Sequence, residues 1–300
     1  VTIYLRDKIN ARGGDVRREV LNLIPTVDGN NFYLDDDGNY WRVYLFVENT
    51  KTYQLPHTAD IFRASARAFG NFCTLLAEYP SEKLNETIIG FHDTPMRYRQ
   101  LLTALDEDAF GRAKEIGREL AFAMQRAGEA SVLHDMQKQG TLPLRVTHND
   151  TKLNNVLFDD KTDEGVCVID LDTVMPGLIV HDFGDAIRFG ANTSSEDETD
   201  LDKCELSLPM FRAYTEGYLQ YAGFTLTPRE IQMFPMGAKL MTLECGIRFL
   251  TDYLNGDVYY KTHYEKQNLY RARNQLKLVR SIEEKWQEIN AIVEQYRHRV

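Results

Sequence analysis

His148 and Asp150 stand one residue apart, Lys152 lies two residues beyond Asp150, and Asn155 lies five beyond it. Phosphoryl transfer asks little covalent work of a protein. It needs a carboxylate to orient an attacking hydroxyl and accept its proton, oxygen ligands for magnesium, and cations to offset phosphate charge. Asp150 supplies the carboxylate and Lys152 the cation, and these two are assigned as catalytic. Eleven residues after Asn155 the apolar run Val166-Cys167-Val168-Ile169 begins, and Asp170 ends it. A loop that leaves one strand and enters another can aim Asn155 and Asp170 at one cation. Amide and carboxylate oxygens suit magnesium, which keeps waters and takes its other ligands from nucleotide phosphates. Asp172 is assigned to the same metal set. The bare His-x-Asp-x-x-x-x-Asn pattern arises somewhere in a chain this long with a chance of roughly 2%. Singly, His148 reads as a capped turn residue and Asn155 as a loop hydrogen bonder; together, with an apolar strand ending in Asp, they point to phosphoryl transfer.

These residues sit in a β-rich island. It runs Arg145-Val146-Thr147, Val156-Leu157-Phe158 and Val166–Ile169, with an acidic turn over 159–165. Upstream, residues 1–11 predict a helix broken by Gly13-Gly14. Asn31–Leu34 and Tyr40–Val47 flank Asp35-Asp36-Asp37-Gly38 and predict an antiparallel hairpin. Glu48-Asn49-Thr50-Lys51 reads as a linker. Apolar residues at helical spacing then predict a helix through Ile61 and Leu76, ended by Pro80. Further helices are predicted over 108–138, over 231–254 with Asn255-Gly256 as the stop, and over 264–296. Their Leu, Met and aromatic stripes read as core. The acidic stretch 194–202 reads as a solvated loop.

A net charge of −10 argues against nucleic acid or an anionic membrane as partner, since either needs a basic footprint. With 43% hydrophobic and 27% charged residues the chain belongs with ordinary globular proteins. Its longest uncharged central stretch, 173–180, is far too short for a membrane span. Cys73, Cys167, Cys204 and Cys245 lie far apart and predict buried reduced thiols. With no apolar secretory stretch over residues 1–8, this predicts a cytoplasmic protein.

The run His148-Asn149-Asp150-Thr151-Lys152-Leu153-Asn154-Asn155-Val156-Leu157-Phe158-Asp159, with Ile169-Asp170-Leu171-Asp172-Thr173-Val174-Met175-Pro176-Gly177, resembles the aminoglycoside phosphotransferase-like kinases. Within that group it is most similar to the N-acetylhexosamine 1-kinases, and the similarity extends to 247–260 and 37–42. The resemblance implies ATP and Mg²⁺ as cofactors, Asp150 as base, and Asn155 and Asp170 as magnesium ligands. It also implies Thr173, Arg248 and Tyr259 as sugar contacts. Read from the residues alone, Arg248 near a helix end and Tyr259 past its stop could face one pocket. The bland alternative pairs Arg248 with a helix acid and puts Tyr259 in the core. Asp182-Phe183-Gly184 spells the metal-binding triplet of protein kinases, yet no apolar strand precedes it. Asp182 and Asp185 are therefore expected, with His148, to brace the catalytic loop from nearby.

The expected fold is α+β: a two-lobed, protein-kinase-like chain. A small antiparallel-sheet N-terminal lobe over residues 1–48 forms the nucleotide side, with Phe46 and Glu48 as nucleotide contacts at the junction. A mostly helical lobe over 49–300 carries the catalytic loop and acceptor site. Nothing before Glu48 supplies a glycine-rich loop or strand lysine, so the N-terminal lobe is expected to be truncated, its first strands lying upstream of Val1. The expected function is ATP-dependent phosphorylation of the anomeric hydroxyl of N-acetylglucosamine or N-acetylgalactosamine. The rivals are a kinase of another small alcohol (an aminoglycoside, choline or homoserine) and a non-catalytic pseudokinase. Intact Asp150, Asn155 and Asp170 speak against the last, and the absent lysine speaks for it.

Overall fold

Leu5 and Ile9, one turn apart and buried, seat helix α1 (Thr2–Ala11) against helix α2 (Ala59–Leu75) in the computed structural model, which describes residues 1–297. Between them the hairpin is shorter than predicted: β1 (Tyr33–Leu34) pairs antiparallel with β2 (Tyr40–Trp41). Its side chains are exposed, so no burial extends the ladder. Beyond Trp41 the chain instead meets the segment before the hairpin, with Tyr44 bridging Leu23 and the Ile24 N–H donating to the Val43 carbonyl. The expected linker contains β3 (Thr50–Lys51), which adds to the strand following the catalytic loop.

Helix α2 starts where Thr58 accepts a hydrogen bond from the Ile61 N–H, and its apolar stripe enters the core as predicted. The helix predicted over 108–138 does not form as one. Asp108 ends α3 (Thr94–Glu107) in a left-handed conformation, φ 34°, and is no helix start. Residues 117–138 then hold α4 (Gly117–Met124) and α5 (Val132–Lys138), separated by a 3₁₀ turn. Gly111, Gly117 and Gly128 weaken a continuous helix there.

Four short strands follow. The first, β4 (Arg145–Thr147), pairs antiparallel with β7 (Met175–Gly177), and β5 (Val156–Asp159) lies between β3 and β6 (Gly165–Val168). The rest is helical: α6 (Ile179–Gly190), α7 (Leu208–Ala222), α8 (Pro228–Gln232), α9 (Phe234–Leu254), α10 (Gln267–Glu284) and α11 (Trp286–Arg297). The two helices predicted in this part are each interrupted, at Met233 and at Lys285. The architecture is α+β, with residues of α1 and of the helical body in one core. Among the described residues no helix is long and apolar enough to cross a membrane. All four cysteines are buried and unpaired.

Packing places α6 directly under the catalytic loop. Phe183 stacks on Phe234 with ring centroids 4.0 Å apart and planes at 7°, and Tyr214 and Tyr218 close the cluster. Gly184 and Gly237 let α6 and α9 touch backbone to backbone. A Cβ on Gly184 would lie 2.3 Å from the Gly237 carbonyl oxygen, and one on Gly237 2.2 Å from that of Val180. The acidic stretch 194–202 is less free than predicted: Glu196 and Asp197 pair with Arg188 and Arg271, and Asn274 donates to the Ser195 carbonyl.

Candidate active site

The catalytic loop leaves β4 and is held from below by two carboxylates of α6. Asp182 accepts from the His148 N–H at 2.8 Å and the Asn149 N–H at 2.7 Å, while Asp185 accepts from the Thr151 N–H at 3.0 Å. Burial pushes the Asp182 carboxyl up to about 6, with the two backbone bonds pulling against it. His148 is buried. Its Nε2 meets the Ile169 carbonyl oxygen at 2.9 Å and therefore carries the hydrogen, leaving Nδ1 to accept the Asp150 N–H at 3.3 Å. Asp182, the first residue of the kinase-like triplet, thus touches loop backbone, and Gly184, the last, serves helix packing.

Above this brace, Asp150 is partly exposed and held on both oxygens. Lys152 Nζ lies 2.8 Å from Oδ1, and Asn155 Nδ2 donates to Oδ2 at 3.0 Å. Burial acts to lower the Lys152 ammonium, but the Asp150 and Asp185 charges outweigh it and hold it above its ordinary value. Asn155 spends its amide nitrogen on Asp150, which leaves the side-chain oxygen as the atom able to ligate a cation. The Ile169 N–H donates to the Asn155 carbonyl at 2.9 Å, so Asp170, the next residue, follows a backbone tie to Asn155. Asp170 is exposed and left-handed, φ 58°. An amide oxygen and an unengaged carboxylate on adjoining strand ends fit magnesium. Asp172 differs: it is ion-paired with Arg42 from the N-terminal segment.

On the other side of Asp150 lies a cavity of about 260 Å³ lined by Asp150, Lys152, Thr173, Arg248 and Tyr259. Thr173 reaches it from the turn after β6, with its hydroxyl donating to the His148 carbonyl at 2.6 Å. The Arg248 guanidinium carbon sits 5.1 Å from the Phe91 ring centroid, 5.7 Å from that of Tyr259 and 5.6 Å from that of Tyr260. Of the bland alternative, the helix acid Glu244 acts on Arg248 through charge without a direct bridge, and Tyr259 does not lie in the core. Arg248 makes no salt bridge among the described residues, and Tyr259 is 65% exposed. The loop bearing Tyr259 is gathered by buried Asp252, which accepts from the N–H groups of Val258, Tyr259 and Tyr260.

Phe46 and Glu48 are exposed in the segment before β3 and line none of this cavity. Among the titratable residues lining the cavity, His92, Arg188, Glu196 and Glu244 belong to no motif in the sequence. Arg188 is buried and bridges Asp185 at 2.8 Å to Glu196 at 2.6 Å. Burial acts to raise the Glu244 carboxyl, but bonds from His92 and Thr94 and the Arg248 charge outweigh it and hold it at about 2. Helical spacing was the available clue, since Asp185 and Arg188 are three apart and Glu244 and Arg248 four apart.

Residues 19–224, well over half of the chain, match the phosphotransferase enzyme family. The chain belongs to that family. Solved structures share the fold of this phosphotransferase at low sequence identity. A microcompartment-associated aminopropanol kinase is 16% identical with a TM-score of 0.55, covering 96% of this chain and 82% of that one. An aminoglycoside phosphotransferase from Alicyclobacillus acidocaldarius is 11% identical with a TM-score of 0.58, covering 100% and 85%. The Plasmodium vivax ethanolamine kinase is 13% identical with a TM-score of 0.52, covering 91% and 71%. The phosphotransferase is kinase-like in fold, with the helical body far larger than its sheets.

Proposed function

We propose that this phosphotransferase is an ATP- and magnesium-dependent small-molecule kinase acting on the anomeric hydroxyl of N-acetylhexosamines. The supporting observation is the convergence of Thr173, Arg248 and Tyr259, from separate segments, on one cavity with Asp150. At about 260 Å³ this cavity has room for one sugar ring. Its acids are engaged: Asp150 with Lys152, Asp185 and Glu196 with Arg188, Glu244 with His92. A cationic acceptor such as choline would find no free carboxylate and would face Arg248. A neutral acetamido sugar offers hydroxyl and carbonyl acceptors to that guanidinium, with Tyr259 as a flat neighbour.

Asp150 accepts the proton of the acceptor hydroxyl as its oxygen attacks the γ-phosphorus of ATP and ADP leaves. Lys152 holds the Asp150 carboxylate and offsets charge on the transferring phosphate. Asn155 and Asp170 would hold magnesium, whose charge neutralises that building on the phosphates. Phe46 and Glu48 belong to the nucleotide side in this reading, residues 1–48 form its smaller lobe, and the four buried thiols suit the cytoplasm. An ADP-release screen across N-acetylhexosamines, plain hexoses and amino alcohols tests the proposal. Release with N-acetylhexosamines is expected. A bond from a charged donor is worth about 1.5–3 kcal/mol, so Arg248→Ala should weaken sugar use by roughly 10–150-fold and leave ATP affinity unchanged. Release with choline or an aminoglycoside alone would overturn it.

A further inference from the structure

Glu244 is fully buried on α9 yet makes no contact with a full-time cation. Its Oε1 lies 3.0 Å from His92 Nδ1, and its Oε2 accepts from the Thr94 hydroxyl at 2.7 Å. The other nitrogen of His92, Nε2, lies 3.2 Å from the carbonyl oxygen of Asn149. A carboxylate and a carbonyl can only accept, so both bonds form only when both ring nitrogens carry hydrogen. That carbonyl belongs to the peptide joining Asn149 to Asp150. Asn149 is left-handed, φ 64°, and its N–H is held by Asp182 from α6. The residue before the base is thus gripped at both ends, by α6 on its N–H and by the His92 bridge to α9 on its carbonyl.

Packing alone does not call for this arrangement, since apolar residues of similar volume replace buried charged groups at little cost in stability. We propose that Glu244 and His92 are a positioning pair that fixes the Asn149 carbonyl and so aims Asp150 at the acceptor cavity. The same face of α9 presents Arg248 one turn on, so the helix that meets the acceptor also sets the base. The proposal rests on the reading of Asp150 as the base.

His92→Phe tests it, because the ring packing on Phe91 and His181 is kept while both bonds are lost. Two measurements are read on the full chain: amide hydrogen exchange over residues 148–152 and steady-state ADP release. Exchange at Asn149–Thr151 should speed up about tenfold while α9 keeps its protection. Turnover should fall by roughly 10–100-fold with KM for both substrates unchanged, as expected when the base is misplaced. The double variant His92→Phe/Glu244→Gln removes the stranded charge; it should regain thermal stability without regaining turnover. Should turnover return along with stability, the loss came from an unpaired buried charge and the proposal is overturned. Unchanged exchange in the loop overturns it as well, whatever the acceptor. If His92→Phe does not fold, Glu244→Gln alone carries the exchange measurement. An unaltered protein that phosphorylates none of the acceptors screened would sink the sugar reading, while loop exchange still decides on the pair.

Discussion

Two aspartates that both look like metal ligands have different neighbours. Asp182 is buried and spends its oxygens on the His148 and Asn149 N–H groups, whereas Asp170 is exposed with its carboxylate unengaged. Asp170→Ala should therefore abolish magnesium-dependent nucleotide binding, and Asp182→Ala should chiefly lower the melting temperature. A magnesium titration followed by nucleotide fluorescence separates the two, and the reverse pattern would exchange their roles. Asp150→Asn should keep fold and nucleotide affinity but lower turnover by roughly 10²–10⁴-fold, the usual worth of a positioned base. Turnover within a few-fold of the parent would remove Asp150 from that role. Glu244 adds a pH dependence. Its folded value of about 2 lies below the ordinary 4.5, so the folded state binds fewer protons than the unfolded chain between them. Its stabilisation is complete above pH 4.5 and lost as pH falls toward 2. Urea midpoints measured across this range should decline less steeply in Glu244→Gln than in the parent.

Helix α6 positions two braces through one close contact with α9. At Gly237 an added methyl would press on the Val180 carbonyl at 2.2 Å, and neither backbone has room to give. Gly237→Ala should cost about 1–3 kcal/mol by overpacking, read as a lower urea midpoint, and should slow turnover because Asp182 and Asp185 move with α6. Gly117→Ala at the start of α4 is the control: a Cβ there meets nothing within 4 Å, so stability should hold or rise slightly. Equal behaviour of the two variants would refute the close-packing account. Asp182 and Asp185 are expected from the sequence as braces, but the helix α6 that carries them is not. That helix is only twelve residues long and buried on nearly all sides, its polar His181, Asp182, Asp185 and Arg188 included, so no solvated face marks it out.

Across the whole molecule, burial is uneven. Phe32, Tyr33, Leu34, Tyr40, Trp41, Val43 and Phe46 are all exposed, whereas α9 is buried along nearly its whole length. Few buried contacts and solvated backbone bonds mean low local stability. Amides of residues 30–46 should exchange orders of magnitude faster than those of α9, and equal protection would show that the hairpin is covered in solution. By itself the sequence brought the proposed reacting groups together: Asp150, Lys152, Asn155 and Asp170 fall within one loop and the next strand end, where short connections leave little freedom in placement. It also determined the long apolar helices, because period and composition agree there. Only the tertiary structure decided the division of 108–138 into separate helices, the helix α6 that carries the expected brace, and the wall of the cavity. Thr173, Arg248 and Tyr259 meet Asp150 because α9 docks on α6 through glycine contacts and because Asp252 gathers the loop beyond it. Glu244 and His92 are 152 positions apart. Their meeting depends on how α3 packs against α9, and no local pattern in the chain encodes that.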